Sequence, residues 1–429
     1  MLGWRELFVP AFFSYTAFSK YSSAMPYFPM SPRCTSFLLG AGAFLASCSP
    51  NYQAIHRNAI LVDTHNDVLS QVVMEGLSVE QDLTGKAHTD LARLKKGGVD
   101  VQVFAVFCDE TYGPGRAFRF ANQQIDTLEA LVRRNPDQLQ LVYSPAEARA
   151  AVKAGKIAAL TGVEGGHMIE DNLQNINHLY RRGVRYLTLT WNNSTAWASS
   201  AADETRGSGY NGKKGLNGFG KQVVQRMNEL GMLVDLSHVG EQTFWDAIQT
   251  STKPVLVSHS CAAEFSKHPR NLTDEQIKAV GKNGGVIQLN FFSEFLDGSY
   301  NTRIQQFRER HQADIGALEK KGLSGMELRR ALYKQFPEEA ATLNPPLSLL
   351  IDHIDHIVQL AGIDHVGLGS DFDGISSAPT GLEDVSTYPL ITKALLERGY
   401  KKKDVEKILG GNFLRVWEAN AAPVALTSK

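Results

Sequence analysis

Six side chains of the kinds that hold metal ions or carry protons stand at comparable places along this chain. They are His65 and Asp67 in THND, Glu164 in GVEGG, His238 in LSHV, His259 in SHS, and Asp371 in GSDFDG, where Asp373 follows two residues on. Each closes a short run rich in Val, Ile and Leu, the pattern of a strand with a polar end. A single such histidine is more often a hydrogen-bonded core or surface group than a ligand. Imidazoles and carboxylates from five strands, gathered in one place, would repel one another unless a cation joined them. Nitrogen and oxygen donors without a thiolate suit zinc, at roughly 2.0 to 2.2 Å. The donors outnumber one tetrahedral site, so two metals sharing a carboxylate are expected. Such a pair, about 3.5 to 4 Å apart, can share a hydroxide and polarise a carbonyl. The chemistry implied is hydrolysis.

The elements that must position these groups follow from periodicity. From Ile60 onward, β-rich runs begin at Ala59, Val99, Ile157, Val184, Met232, Pro254, Gly285 and His365, eight in all. Helical patterns separate them, such as DTLEALVRR from Asp126, GKQVVQRMNELG from Gly220 and LSLLIDHIDHIVQLAG from Leu347. Eight strands alternating with helices predict an α/β fold, a (β/α)8 TIM-type barrel whose C-terminal mouth carries the polar residues. A doubly wound open sheet is the alternative, but it would normally show a nucleotide loop after its first strand. GLGSDFDG does not supply one, because it lacks the third glycine and ends in acids. In LVDTHNDVLS, alternation puts Asp63, His65 and Asp67 on one face, with Asp63 deeper and structural. The second and seventh strands end without a candidate, and the fourth, ending in LTLTW, offers neither an acid nor a histidine. His353 and His356, three apart on the helix before the last strand, fall on the outer ring and are set aside. The metal-dependent domain is expected over 59–420, with a charged helical insertion at 295–346 after the seventh strand.

The 429 residues are 43% hydrophobic, with 44 basic and 45 acidic side chains, a balance that gives no reason to expect nucleic acid. Beyond residue 50, no apolar run approaches the roughly 18 to 20 residues of a membrane helix. Residues 1–48 read as a signal segment: Arg33 precedes an apolar run from Phe37 to Leu45, and Leu45-Ala46-Ser47-Cys48 resembles a bacterial lipobox. Cys48 would then be the lipidated first residue of the mature protein, followed by a linker at 49–58; an ordinary signal peptide cut near Ala46 is the alternative. Either way the expectation is export, to the periplasm or to a membrane-anchored lipoprotein of a bacterium, with the membrane touched only through that anchor. Cys108 and Cys261 remain, expected as buried free thiols, a single disulfide being the other option.

THND, GVEGGH, LTLTWN, LSHV, SHS followed by HPRN, and GSDFDG, in this order, resemble the membrane dipeptidase (renal dipeptidase) family of the amidohydrolase superfamily over nearly the whole mature chain. The resemblance implies a di-zinc barrel that hydrolyses small dipeptides, often with a D-residue on the carboxyl side. It implies one Zn2+ on His65, Asp67 and Glu164 and the other on Glu164, His238 and His259, so that Glu164 bridges. It makes Arg270, in HPRN, the residue that grips the dipeptide carboxylate. It makes Asp371 the carboxylate that moves a proton from the hydroxide to the leaving amine, while Asp373 orients a loop or a neighbour. The pattern departs at Trp191, where mammalian members have a histidine that contacts the scissile carbonyl. An indole donates one hydrogen bond and carries no charge, so that work shifts to the metals or to Asn192 or Asn193. A homodimer is the assembly the analogy suggests. Two alternatives stay open: the same barrel acting on a lactone or formyl amide, and a lipoprotein that only binds a peptide, with Trp191 marking lost catalysis.

Overall fold

The computed structural model describes residues 51–421 apart from 210, 211 and 324; the expected signal segment and Cys48 lie outside the described residues. Nine parallel strands form one sheet: β1 (Val62–Asn66), β2 (Val101–Phe107), β3 (Leu139–Leu141), β4 (Ile157–Glu164), β5 (Val184–Thr188), β6 (Leu233–Asp235), β7 (Leu256–Ser260), β8 (Val286–Leu289) and β9 (Val366–Leu368). The path runs β1-β2-β4-β5-β6-β7-β8-β9, and a parallel bridge from Asn66 to Phe372 joins its last strand back to its first. The eight expected strands are therefore the eight staves of a (β/α)8 barrel. The ninth, β3, lies off that path against the start of β4, with Leu139 opposite Ile157. Three residues are too few to show a period, so nothing in the pattern of residues marks it as a strand.

The helices bury one stripe each on the outside of this barrel. In Ala117–Arg134 the buried face runs through Phe120, Gln124, Leu128 and Leu131, the three-to-four spacing of an amphipathic helix. Thr273 and Gln276 form a reciprocal capping box at the head of Asp274–Asn283. Inside the barrel, the lower lumen is filled by Val62, Val101, Leu160, Tyr186, Leu233, Leu256 and Val286, and the last helix, Asn412–Asn420, packs Phe413 and Trp417 against the same cluster. With the lower end filled by apolar groups, the metal-binding types of side chain gather at the upper end.

Two aspartates tie neighbouring strands together just below the mouth. Asp63 accepts hydrogen bonds from the Ser370 amide (2.9 Å) and hydroxyl (2.8 Å). Asp235 does the same for Ser258, at 2.8 and 2.6 Å. Each also receives the amide two residues further on, of His65 and Ser237 respectively. Asp63 thus has the structural role expected of it, and Asp235 is its counterpart across the barrel.

After β8, helices Tyr300–Arg310, Gln312–Glu319, Gly325–Gln335 and Pro337–Ala340 share a small core of their own around Phe307, Ile315, Leu318, Leu332 and Leu343. His353, set aside as an outer-ring residue, is in fact fully buried: its Nδ1 accepts the Ala262 amide just after β7 and its Nε2 donates to the Leu296 carbonyl. It is a strut for a mouth loop, while His356 pairs with Asp274 at 2.8 Å. Cys108 and Cys261 are buried free thiols. Among the described residues no helix is long and apolar enough to cross a membrane.

Candidate metal centre

The barrel brings His65, Asp67, Glu164, His238, His259 and Asp371 to one place at its upper mouth. Glu164 ends β4, and His65 and His259 are the next-to-last residues of β1 and β7. Asp67 lies one residue past β1, at the cap of helix Val68–Glu75, so the turn rather than strand alternation delivers it. His238 and Asp371 lie on the turns after β6 and β9, both in the left-handed backbone region (φ 64° and 61°), as is Asp373 (φ 68°). Such conformations are costly for non-glycine residues and persist where the surroundings fix them, often at functional sites. Donor atoms of His65, Glu164 and His259 fall within 4.8 Å of one another, and so do those of His65, Asp67 and Asp371.

Glu164 sits between the imidazoles. Its Oε2 lies 3.3 Å from His65 Nε2, and its Oε1 lies 2.8 Å from His238 Nε2 and 3.5 Å from His259 Nε2. The partners behind the rings decide what those nitrogens offer. The Tyr186 hydroxyl gives its proton to the Thr64 carbonyl (3.1 Å) and is therefore an acceptor for His65 Nδ1 (2.8 Å). The Ser258 hydroxyl gives its proton to Asp235, so at 2.7 Å it accepts from His259 Nδ1. The Asn192 side-chain oxygen lies 3.1 Å from His238 Nδ1 and accepts there. All three rings are thus held with the proton on Nδ1 and a lone pair on Nε2, aimed at a carboxylate that is also an acceptor. Lone pairs facing lone pairs need a positive ion between them. His65 Nε2 and Asp67 Oδ1 are buried without a hydrogen bond, which agrees. These residues fit a metal site, with outer partners of the kind that orient metal-bound histidines.

The field points the same way. Burial disfavours charge on Glu164, but the neighbouring imidazoles, His65 foremost, hold its carboxyl well below the usual range. Burial, then the Arg270 charge, lowers His238 to about 4. Burial also opposes charge on His65, yet Tyr186, Glu164 and Asp67 draw it well above its ordinary value, so the cluster attracts positive charge. Asp371 is pushed well up by burial and then by the Asp67 carboxylate.

Around the cluster, Asn290 donates to Asp371 Oδ2 at 2.7 Å. It follows β8, the seventh strand of the barrel, from which no site residue was expected. Asp373 accepts the His88 amide while its own amide donates to His88 Nδ1 (3.0 Å), so it holds a neighbouring loop. Arg270 is buried beside His259, with its Nη atoms on the Ser260 hydroxyl and the His259 carbonyl, both at 3.2 Å, its Nε unpartnered and, among the described residues, no carboxylate in ion-pair contact. Trp191 lies half-buried 6.4 Å from the His238 ring, and Asn192 is exposed. Tyr186, Asp235, Ser258 and Asn290 were missed from sequence. Only Asp235 left a trace there, since VDLSH at 234–238 echoes VDTH at 62–65.

A parallel (β/α)8 barrel with imidazoles and carboxylates converging on its C-terminal mouth is the architecture of a metal-dependent hydrolase. The chain belongs to the membrane dipeptidase family, peptidase family M19, whose profile it matches over residues 50–428. It is 34% identical over 386 residues to an uncharacterized dipeptidase of Schizosaccharomyces pombe, covering 86% of this chain and 82% of that one. The crystal structure of the probable dipeptidase PvdM from Pseudomonas aeruginosa superposes with a TM-score of 0.70 at 27% identity, over 86% of this chain and 97% of that one. A metallo peptidase from Rhodobacter sphaeroides, liganded with a phosphinate mimic of L-Ala-D-Ala, shares the fold at 23% identity, with a TM-score of 0.67 over 85% of this chain and all of that one. The protein is a metallo-dipeptidase.

Proposed function

We propose that the protein is a zinc enzyme that cleaves small dipeptides, including those with a D-residue on the carboxyl side. The observation that carries this is the set of three Nε2 lone pairs turned toward Glu164. In this reading His65, Asp67 and Glu164 would hold one Zn2+, and Glu164, with His238 and His259, would hold the second. When bound, the pair supplies Lewis-acid polarisation of the scissile carbonyl and an ionised water at neutral pH. Everything else is work for side chains. Arg270 offers a buried, unpaired guanidinium to the dipeptide carboxylate, a match in charge and planar geometry. Asp371, half-buried at the mouth, would take the proton that remains on the attacking oxygen and pass it to the leaving amine. Asn290 fixes the carboxylate that does so. Asn192 orients His238 from behind, and Trp191 stands beside that ring in place of a charged donor. The dipeptide mimic bound by the Rhodobacter sphaeroides enzyme is a ligand of the same class.

Metal analysis of the purified protein, with turnover of matched L-L and L-D dipeptides, tests the reading. About two zinc ions per chain and cleavage of dipeptides but not tripeptides are expected; activity on a lactone or formyl amide alone would overturn it. Arg270→Met should raise KM for dipeptides at least tenfold, as expected for loss of a charge-assisted contact of about 1.5 to 3 kcal/mol. An unchanged KM would remove Arg270 from substrate binding. Export and lipidation at Cys48 complete the proposal, with a homodimer as its assembly. Cys48→Ser should move the protein from the membrane fraction to the periplasmic extract, and sedimentation should report twice the chain mass.

A further inference from the structure

We infer that Phe107 and Trp191 form an aromatic wall that selects dipeptides with an apolar or aromatic side chain on the amino-terminal residue. This rests on the dipeptidase reading above and on Arg270 as its carboxylate anchor.

Phe107 ends β2 and pairs in register with Glu164, so its side chain leaves the sheet on the same side as the carboxylate at the centre of the site. Trp191 follows β5, on the other flank of β4. The two rings meet with centroids 5.0 Å apart and planes at 56°, closing over the strand that carries Glu164. Gly165 lies beside Trp191, with the His167 ring packed against its bare Cα. Its φ is 109°, and a Cβ there would stand 2.4 Å from the His167 ring and 3.4 Å from Trp191 Cβ. Both aromatic residues are half-buried, and neither belongs to an apolar core cluster or to the side chains packed against one. They pack on each other, and each keeps part of its surface exposed. Aromatic surface that fills no core, beside a polar cluster, suits an apolar ligand group.

Strand order gives the direction. In the ring of eight, β2 and β7 are four places apart, so Phe107 and Arg270 face each other across the mouth. A dipeptide with its carboxylate on Arg270 and its scissile carbonyl over the histidine cluster turns its amino-terminal residue toward Phe107 and Trp191. An apolar side chain there loses water against the rings, whereas a charged one would be desolvated with no partner from either ring.

The experiment compares kcat/KM for Leu-Ala and Gly-Ala in metal-loaded wild type, Phe107→Ala, Trp191→Ala and Trp191→Phe. Wild type should favour Leu-Ala. Each alanine variant should lower the Leu-Ala to Gly-Ala ratio at least tenfold, about 1.4 kcal/mol, and Trp191→Phe should keep it within about threefold. A ratio that stays constant, or that rises because the rings were only blocking space, overturns the wall. A second readout is tryptophan fluorescence on titrating phosphinate analogues of Leu-Ala and Gly-Ala. The Leu analogue should bind at least tenfold tighter, with an emission change absent from Trp191→Phe. Should the alanine variants not fold, this titration decides, and equal affinities overturn the proposal. A wild type that cleaves no dipeptide at all overturns the underlying reading instead.

Discussion

At the scale of single residues, the site depends on groups that never touch substrate. His65 presents a lone pair on Nε2 because the Tyr186 hydroxyl accepts the hydrogen bond from its Nδ1–H, and Tyr186 reaches it only because β4 has no side chain at Gly162, where a Cβ would lie 2.1 Å from the tyrosine ring. Tyr186→Phe keeps the ring and deletes the acceptor. Metal affinity should fall about 10- to 100-fold, the usual effect of losing an outer partner of a metal-bound histidine, while the melting temperature in saturating metal stays within a few degrees. Competition with a chelator measures the affinity, and an unchanged value would show that Tyr186 does not set the tautomer. The candidate metal-holding residues stood out in the sequence because each follows an apolar run. Tyr186 did not, since a tyrosine inside YLTLT looks like any strand aromatic until its hydroxyl is placed beside a residue 121 positions away.

At the scale of elements, the strands are bound to each other by buried carboxylates as well as by their ladders. Asp100, just before β2, accepts the Leu61 amide at 2.8 Å, and burial, only partly offset by that hydrogen bond, raises its pKa to about 6. Its folded value lies above its unfolded one, so the folded state holds the proton more tightly. Stability from this group is therefore full below about pH 4 and is lost as pH rises through about 6. Asp100→Asn keeps the acceptor and removes the charge. It should flatten that part of the pH profile and raise stability at pH 8 by up to about 3 kcal/mol, two pH units at roughly 1.4 each. Urea denaturation of both proteins at pH 5 and pH 8 reads it, and equal differences at the two pH values would contradict it. The eight staves were legible because a half-polar strand end after a β-branched run is a strong local signal. β3 was not, being three residues long, and Asn290 was not, because an asparagine after VIQL reads as turn chemistry until β8 lies next to β9.

At the scale of the whole molecule, the barrel is stabilised from two ends. Apolar packing fills the bottom, with Phe413 and Trp417 of the last helix on the lumen residues, and a cation would satisfy the top. Removing metal should therefore lower the melting temperature. At a hundredfold excess over Kd, a bound ion contributes about 2.7 kcal/mol, which in a chain of this size is a few degrees. Calorimetry before and after chelation, with zinc restored, checks this, and identical melting curves would mean that the cluster holds no stabilising ion. The sequence by itself determined the number of barrel strands, the polar groups at their ends and the family they spell, because these are local patterns of two to eight residues. Only the tertiary structure decided which groups meet. Asp63 finds Ser370 from 307 positions away, Phe107 and Trp191 close over Glu164 from the two strands beside it, and His353 turns from an outer-ring residue into a loop strut. The physical reason is that contacts between distant segments depend on strand order, ring closure and the room left at positions such as Gly162. None of these is a property of any short stretch of chain.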